Sequence, residues 1–133
     1  MLKNMDAKLN FTLDPTGGVP FYKQIILQVQ MAIADGRLAR GDQLPTVRSL
    51  AVDLQVNPNT VARAYNELEI RGVVDTQQGS GTFISEKTVQ LPEIEREKIL
   101  AEISTGFITK AASYGFTMAE IVGYLRELEG RDG

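Results

Sequence analysis

The run Val56-Asn57-Pro58 constrains the fold of this 133-residue chain more than any other feature. Asn is a favoured N-cap, and Pro costs nothing at the first helical position, where its missing N–H would have had no partner. A helix should therefore start at Pro58. Val61, Ala64, Tyr65 and Leu68 recur at steps of three and four and mark its buried side, with Ile70 a further candidate. Gly72 ends it after Arg71. Upstream, Leu44-Pro45 breaks the chain, and Thr46 can cap a shorter helix with Val47, Leu50, Ala51 and Leu54 on one face. A first helix opens at Pro20, shows Tyr22, Ile25, Ile26, Val29 and Ile33 at the helical period, and closes at Gly36.

Beyond Gly72 the period changes. The β-branched and aromatic runs 73–76 and 82–85 flank Gln77-Gln-Gly-Ser-Gly81, which reads as a hairpin with a glycine-rich tip. From Pro92 the pattern is helical again. Ile94, Ile99, Leu100, Ile103, Phe107 and Ala111 form an apolar stripe, and Gly115-Phe116 resembles a helix stop with its hydrophobic clasp. Thr117 and Glu120 fit a capping box for a last helix carrying Ile121, Val122, Tyr124, Leu125 and Leu128. Residues 1–18 read as an arm with a short extended stretch at 9–13, and the final Gly-Arg-Asp-Gly as a frayed tail. The predicted fold is mainly α with a small β-hairpin. It has two parts: 1–85, including the arm, and a helical part, 86–133.

Composition removes whole classes of function. With no His and no Cys, the commonest general base, the commonest transition-metal ligand and all thiolate chemistry are absent. No catalytic residue, cofactor or metal is expected. No apolar run approaches ~18 residues, and Met1-Leu-Lys-Asn-Met5 lacks a signal-peptide core, so a cytoplasmic protein with no membrane partner is expected. The net charge of −3 looks wrong for a nucleic-acid binder until it is split. Residues 1–85 hold eight basic and eight acidic side chains, whereas 86–133 hold six and nine. Locally placed arginines in the neutral part can still meet phosphates, because the local field outweighs the total.

Helix, two short helices and a hairpin is the layout of a winged helix-turn-helix. An outward-facing helix fits the ~12 Å major groove, where base edges carry a distinct donor and acceptor pattern. Asn59 and Thr60 sit on the first turn of the third helix and Arg63 one turn later, where side chains reach base edges; Thr46 and Arg48 open the second helix and suit phosphate. Plainer roles compete. Arg48 could be a solvated charge, Arg63 an intrahelical ion pair with Glu67, Asn57 only a cap, Asn59 and Thr60 only solvated, and the wing glycines only turn formers. Tyr65 and Phe83 read as core.

These residues resemble the GntR-type bacterial transcription regulators. Gln43-Leu-Pro-Thr-Val-Arg-Ser-Leu-Ala51 looks like their second-helix segment, Val56-Asn-Pro-Asn-Thr-Val-Ala-Arg-Ala-Tyr65 resembles their recognition helix, and Gly79-Ser-Gly-Thr-Phe-Ile84 is similar to their wing. Pro20-Phe-Tyr-Lys-Gln-Ile25 and Ala34-Asp-Gly-Arg-Leu38 resemble the first helix and its exit, so the likeness runs over roughly residues 10–85 in order. The Asn-Pro-Asn-Thr-Val version, with a short remainder, looks like the YtrA-type subfamily. The resemblance implies a dimeric repressor on a palindromic double-stranded operator, often beside ABC transporter genes. By motif position it assigns DNA contacts to Thr46, Arg48, Asn59, Thr60 and Arg63, and a wing contact to Gly81. Many members carry Arg where this chain has Pro58 and Ala62, which leaves Arg63 as the main candidate in the helix.

The apolar C-terminal helices either fold back on the first part or pair with a second copy; pairing is favoured, because a two-fold interface repeats a reading head at fixed spacing. A winged-helix protein-interaction module that does not bind DNA is the alternative. An enzyme is not expected, since some 48 residues after the wing are too few for a cofactor fold. The small C-terminal part also leaves little room for an effector pocket of ~300 Å³ or more. The sequence names no effector.

Overall fold

The computed structural model describes residues 10–87 and 91–130. Its elements are α1 (Phe21–Ala34), α2 (Val47–Leu54), α3 (Pro58–Ile70), β1 (Val74–Gln77), β2 (Gly81–Ile84), α4 (Glu93–Ser113) and α5 (Met118–Gly130). Contacts divide the chain into two compact units, Met1–Lys87 and Thr88–Gly133. The start of the expected arm, through Leu9, and the expected frayed tail beyond Gly130 lie outside the described residues.

The helix starts follow from their caps. Thr46 Oγ1 accepts the Ser49 N–H at 3.0 Å, and Asn57 Oδ1 accepts the Asn59 N–H at 2.8 Å with Pro58 at the first helical position. At the far end of α3, Gly72 takes φ +77°, the Val73 N–H reaches the Leu68 carbonyl and the Gly72 N–H that of Glu69. This left-handed exit turns the chain into the hairpin. Gln55 closes α2 with φ +57°, a left-handed stop that no Gly or Asn announces in the sequence.

The core of the first unit gathers Ile25, Ile26, Val29 and Ala32 of α1, Leu50 and Ala51 of α2, Val61, Ala64, Tyr65 and Leu68 of α3, and Val74 and Ile84 of the hairpin, with Leu38 and Leu44 from the connections. α3 packs on α1, α2 and β1. Ile70 does not join this core. It is 81% exposed, because a helical step of about 100° per residue puts position 70 on the same outer side as 59 and 63. Phe83 is also only half-buried, since it stands on a strand with one covered face.

The hairpin is antiparallel, with Val74 opposite Ile84 and Gln77 opposite Gly81, one residue out of step with the predicted strands. A third segment joins it. The Gly41 N–H bonds to Ile84 O, the Ile84 N–H to Asp42 O and the Leu44 N–H to Thr82 O, at 2.8–2.9 Å. The wing is thereby tied to the chain that enters α2. The arm is held differently. Gln28 and Gln24, one turn apart on α1, each use a side-chain amide to pair with the backbone of residues 12 and 14 at 2.7–2.9 Å, and Phe11 and Leu13 lean on the core. Side chains here do what a neighbouring strand would do.

The second unit is a helical hairpin. α4 ends with Gly115 at φ +88°, its N–H on Ala112 O and the Phe116 N–H on Ala111 O. The Glu120 N–H donates to Thr117 Oγ1 while Glu120 Oε1 accepts the Thr117 N–H, so the capping box is closed. Ile121 is the one buried apolar residue of this unit among the described residues. Leu100, Ile103, Phe107, Phe116, Tyr124 and Leu125 are all exposed. A crevice of about 450 Å³ between α4 and α5, lined by Phe107, Ala111, Phe116, Ile121 and Tyr124 with Lys110 and Glu120, exceeds the room expected from the sequence. The extra space arises because two helices alone cannot close over large aromatic side chains.

Two buried or half-buried polar contacts define tests of the first unit. The Tyr65 hydroxyl donates to the carbonyl of Pro45, a fully buried residue, at 2.7 Å. Tyr65→Phe strands that acceptor, and urea unfolding is expected to show a loss of about 1–3 kcal/mol at unchanged m-value. The Asp35 carboxylate, held by the Arg37 side chain and its N–H, lies below the ordinary aspartate value of 3.8. Its contribution is complete above that value and disappears as pH falls through the lowered native one. Asp35→Asn should therefore flatten the fall in stability below about pH 4, measured by urea titration at each pH.

Candidate nucleic-acid interface

The sequence-predicted residues fall on three neighbouring features of the first unit. Thr46 caps α2 and Arg48 lies in its first turn; Asn59, Thr60 and Arg63 lie on the first two turns of α3; Gly81 starts β2 beside the turn at the tip of the wing. The buried set Val61, Ala64, Tyr65 and Leu68 turns the opposite side of α3 outward. On that side Asn59 and Arg63 are exposed and Thr60 is half-buried.

α2 is anchored by its turn. Tyr65 on α3 holds the Pro45 carbonyl, and Leu44 is pinned to β2, so the segment Leu44-Pro45-Thr46 is tied on both sides. Thr46 Oγ1 spends one lone pair on the cap and keeps its O–H to donate. Arg48 is exposed, and among the described residues no hydrogen bond or ion pair engages it. Its five N–H donors are open to an anion.

Arg63 departs from the plainer expectation. Glu67 is not its partner; that carboxylate pairs with Arg71 at 3.5 Å. The Arg63 guanidinium carbon lies 3.9 Å from the centre of the Tyr22 ring, at the start of α1. Pro20, Phe21 and Tyr22 with Asn59, Thr60 and Arg63 line a depression of about 530 Å³. Sequence reasoning placed Tyr22 in the apolar stripe of α1 and gave it no role at the site. Periodicity carried no signal for more, because Tyr22 does stand half-buried beside the core while its ring face meets the cation.

Asn57 is a cap, as its position implied. Gly81 carries a backbone duty. Its φ is +127°, and a Cβ there would stand 2.6 Å from Gln43 Nε2, an amide that donates to Ser80 O. Gln43, which also bridges Phe83, therefore lies against the turn end of the wing, where the positive φ of residue 81 and the close amide both favour Gly. Among the described residues no three His, Cys, Asp or Glu gather as a metal site, and no helix is long and apolar enough to cross a membrane.

Known proteins are similar to this chain in sequence and fold. The profile described as "Bacterial regulatory proteins, gntR family" matches residues 21–84. The uncharacterized HTH-type transcriptional regulator YhcF of Bacillus subtilis (strain 168) is 39% identical over 103 residues, 77% of this chain and 84% of its own length. The HTH-type transcriptional repressor YtrA of the same organism is 47% identical over 74 residues, 56% of this chain and 57% of its own. Among solved structures, a "Transcriptional Antiterminator" of Listeria monocytogenes EGD-e superposes with a TM-score of 0.67 at 30% identity, over 92% of this chain and 91% of that one. The DNA-binding domain of AraR in complex with operator ORX1 matches 56% of this chain and 92% of its own, with a TM-score of 0.50 and 25% identity. The curated relatives are regulators, not enzymes. The chain belongs to the gntR family of bacterial regulatory proteins, has YtrA-type regulators among its homologues, and is a DNA-binding transcriptional regulator on a winged-helix fold.

Proposed function

We propose that the protein is a cytoplasmic homodimeric repressor that binds a palindromic operator near its own gene, contacts it through Thr46, Arg48, Asn59, Thr60, Arg63 and the wing at Gly81, and dimerises through residues 86–133. The observation that carries the DNA part is the outer side of α3, where Asn59 and Arg63 stand clear of the core with no carboxylate engaging Arg63 among the described residues. Arg48 supplies a second open cation. A base-reading helix between a capped helix start and a wing matches the way such motifs divide labour between base edges and phosphates. A repressor role is in keeping with the name of the YtrA relative.

The dimer part is supported by the bare apolar sides of α4 and α5. Leu100 and Ile103 are 66% and 65% exposed, and Phe107 is 48% exposed. Few soluble surfaces leave so much contiguous apolar area uncovered without a partner. A second copy is the occupant that suits these sides, because two-fold pairing also delivers two reading heads to a two-fold operator.

DNA contact is tested by fluorescence anisotropy with a duplex that the protein itself selects from a randomised pool. Arg48→Ala is expected to weaken binding about tenfold and to lower the salt slope by about one, and Arg63→Ala to weaken it about tenfold or more. Unchanged affinity in both folded variants would remove these residues from the interface. Ile103→Asp should convert a dimer to a monomer in sedimentation at micromolar concentration, with helix content intact, and should reduce operator affinity in parallel.

A further inference from the structure

We infer that Tyr22 is a positioning residue for DNA binding: its ring holds the Arg63 guanidinium in place and un-neutralised over the depression that Asn59 and Thr60 also line. The inference rests on the reading of Arg63 as a DNA contact and adds a cause for its competence. A long arginine on an open helix face samples many rotamers, and fixing one costs free energy at the moment of binding. A carboxylate can fix it, but only by taking its charge and two of its donors.

The structure avoids that outcome. Glu67, one turn along from Arg63, is engaged by Arg71 at 3.5 Å, and Arg63 lies instead 3.9 Å from the Tyr22 ring centre. An aromatic face attracts a cation through its quadrupole and leaves the in-plane N–H donors unused. Those donors remain free for a phosphate oxygen or a guanine edge. Tyr22 is itself immobilised, because it packs against the core from the first turn of α1. The ring thus acts as a fixed platform on a neighbouring helix, and it couples the start of α1 to the reading side of α3.

The test is a mutant cycle on the full chain, with the same pool-selected duplex and anisotropy readout. Tyr22→Phe keeps the ring face and is expected to bind within about twofold of the wild type, while Tyr22→Leu should lose about 3- to 30-fold. In an Arg63→Ala background, Tyr22→Leu should cause no further loss, since the platform then has nothing to hold. In the wild type, Arg63 side-chain protons should show an upfield ring-current shift by NMR. Multiplying losses in the cycle, equal losses from Tyr22→Phe and Tyr22→Leu, full binding by Tyr22→Leu, or no ring-current shift would each overturn the inference. If Arg63→Ala binds normally, the contact reading of Arg63 falls and the inference falls with it. A costly Arg63→Ala beside a neutral Tyr22→Leu overturns the inference alone. Circular dichroism checks the fold of each variant; if Tyr22→Leu does not fold, Tyr22→Met replaces it in the cycle.

Discussion

The hydrogen bond from Tyr65 to the buried Pro45 carbonyl is the constraint on which the placement of α2 against α3 depends. A proline cannot donate, so its carbonyl is the one hydrogen-bonding group that its backbone offers, and here it is buried. Without Tyr65 the turn into α2 would have to open to water or leave that oxygen bare. With it, α3 fixes where α2 begins, and hence where the cap Thr46 and the cation Arg48 stand. The same turn is gripped from the other side by Leu44 bonding to β2. Two helices and the wing thus converge on three consecutive residues, which is how eight residues of α2 can hold a defined orientation. So short a helix has little stability of its own.

Charge is managed locally. The whole chain is acidic, yet the arginines that face outward from α2 and α3 are kept from carboxylates. Arg37 pairs with Asp35, and Arg71 engages Glu67, the carboxylate one turn along from Arg63. Arg48 meets no acid among the described residues, and Arg63 meets a ring. A salt bridge at either position would lower the local potential that draws a phosphate. This matters the more because Arg63 is the one basic residue that α3 presents.

Much of each unit was legible because its signals are local. Asn57-Pro58, Thr46 and the Thr117–Glu120 box each declare a helix start through chemistry within three residues, and each is found as read. The glycine stops at 72 and 115 are equally self-contained. What stayed illegible is what depends on partners far along the chain. Gln24 and Gln28 look like ordinary polar helix residues, and nothing in the string says that their amides stand in for a strand beside residues 12 and 14. Nothing local in Gly41-Asp42-Gln43 announces a strand, yet the segment pairs with β2. Gln55 adopts a left-handed stop that its residue type does not announce. At the site, the residue types and helix positions were readable, whereas the Tyr22 platform was not. Helical period assigns a residue to a face; it does not tell which of its two sides a ring turns to a neighbour.

The second unit poses an energetic question of its own. Ile121 is buried, while the larger side chains around it stay open to water, so α4 and α5 gain little from each other. Sheltering a large apolar side chain fully is worth about 1.5–3 kcal/mol, and a two-fold interface counts each residue twice. Leu100, Ile103 and Phe107, already one third to one half covered, would then supply about 5–11 kcal/mol in a pair before costs, against an association cost of about 4–15 kcal/mol. The strong caps at both ends of the connecting turn make sense on this scale. They fix the angle between α4 and α5 in advance, so that less ordering remains to be done when the apolar sides meet a partner. Pre-ordering of that kind raises affinity without adding a contact. The same logic operates in the first unit, where the ring of Tyr22 orders Arg63 before any DNA arrives.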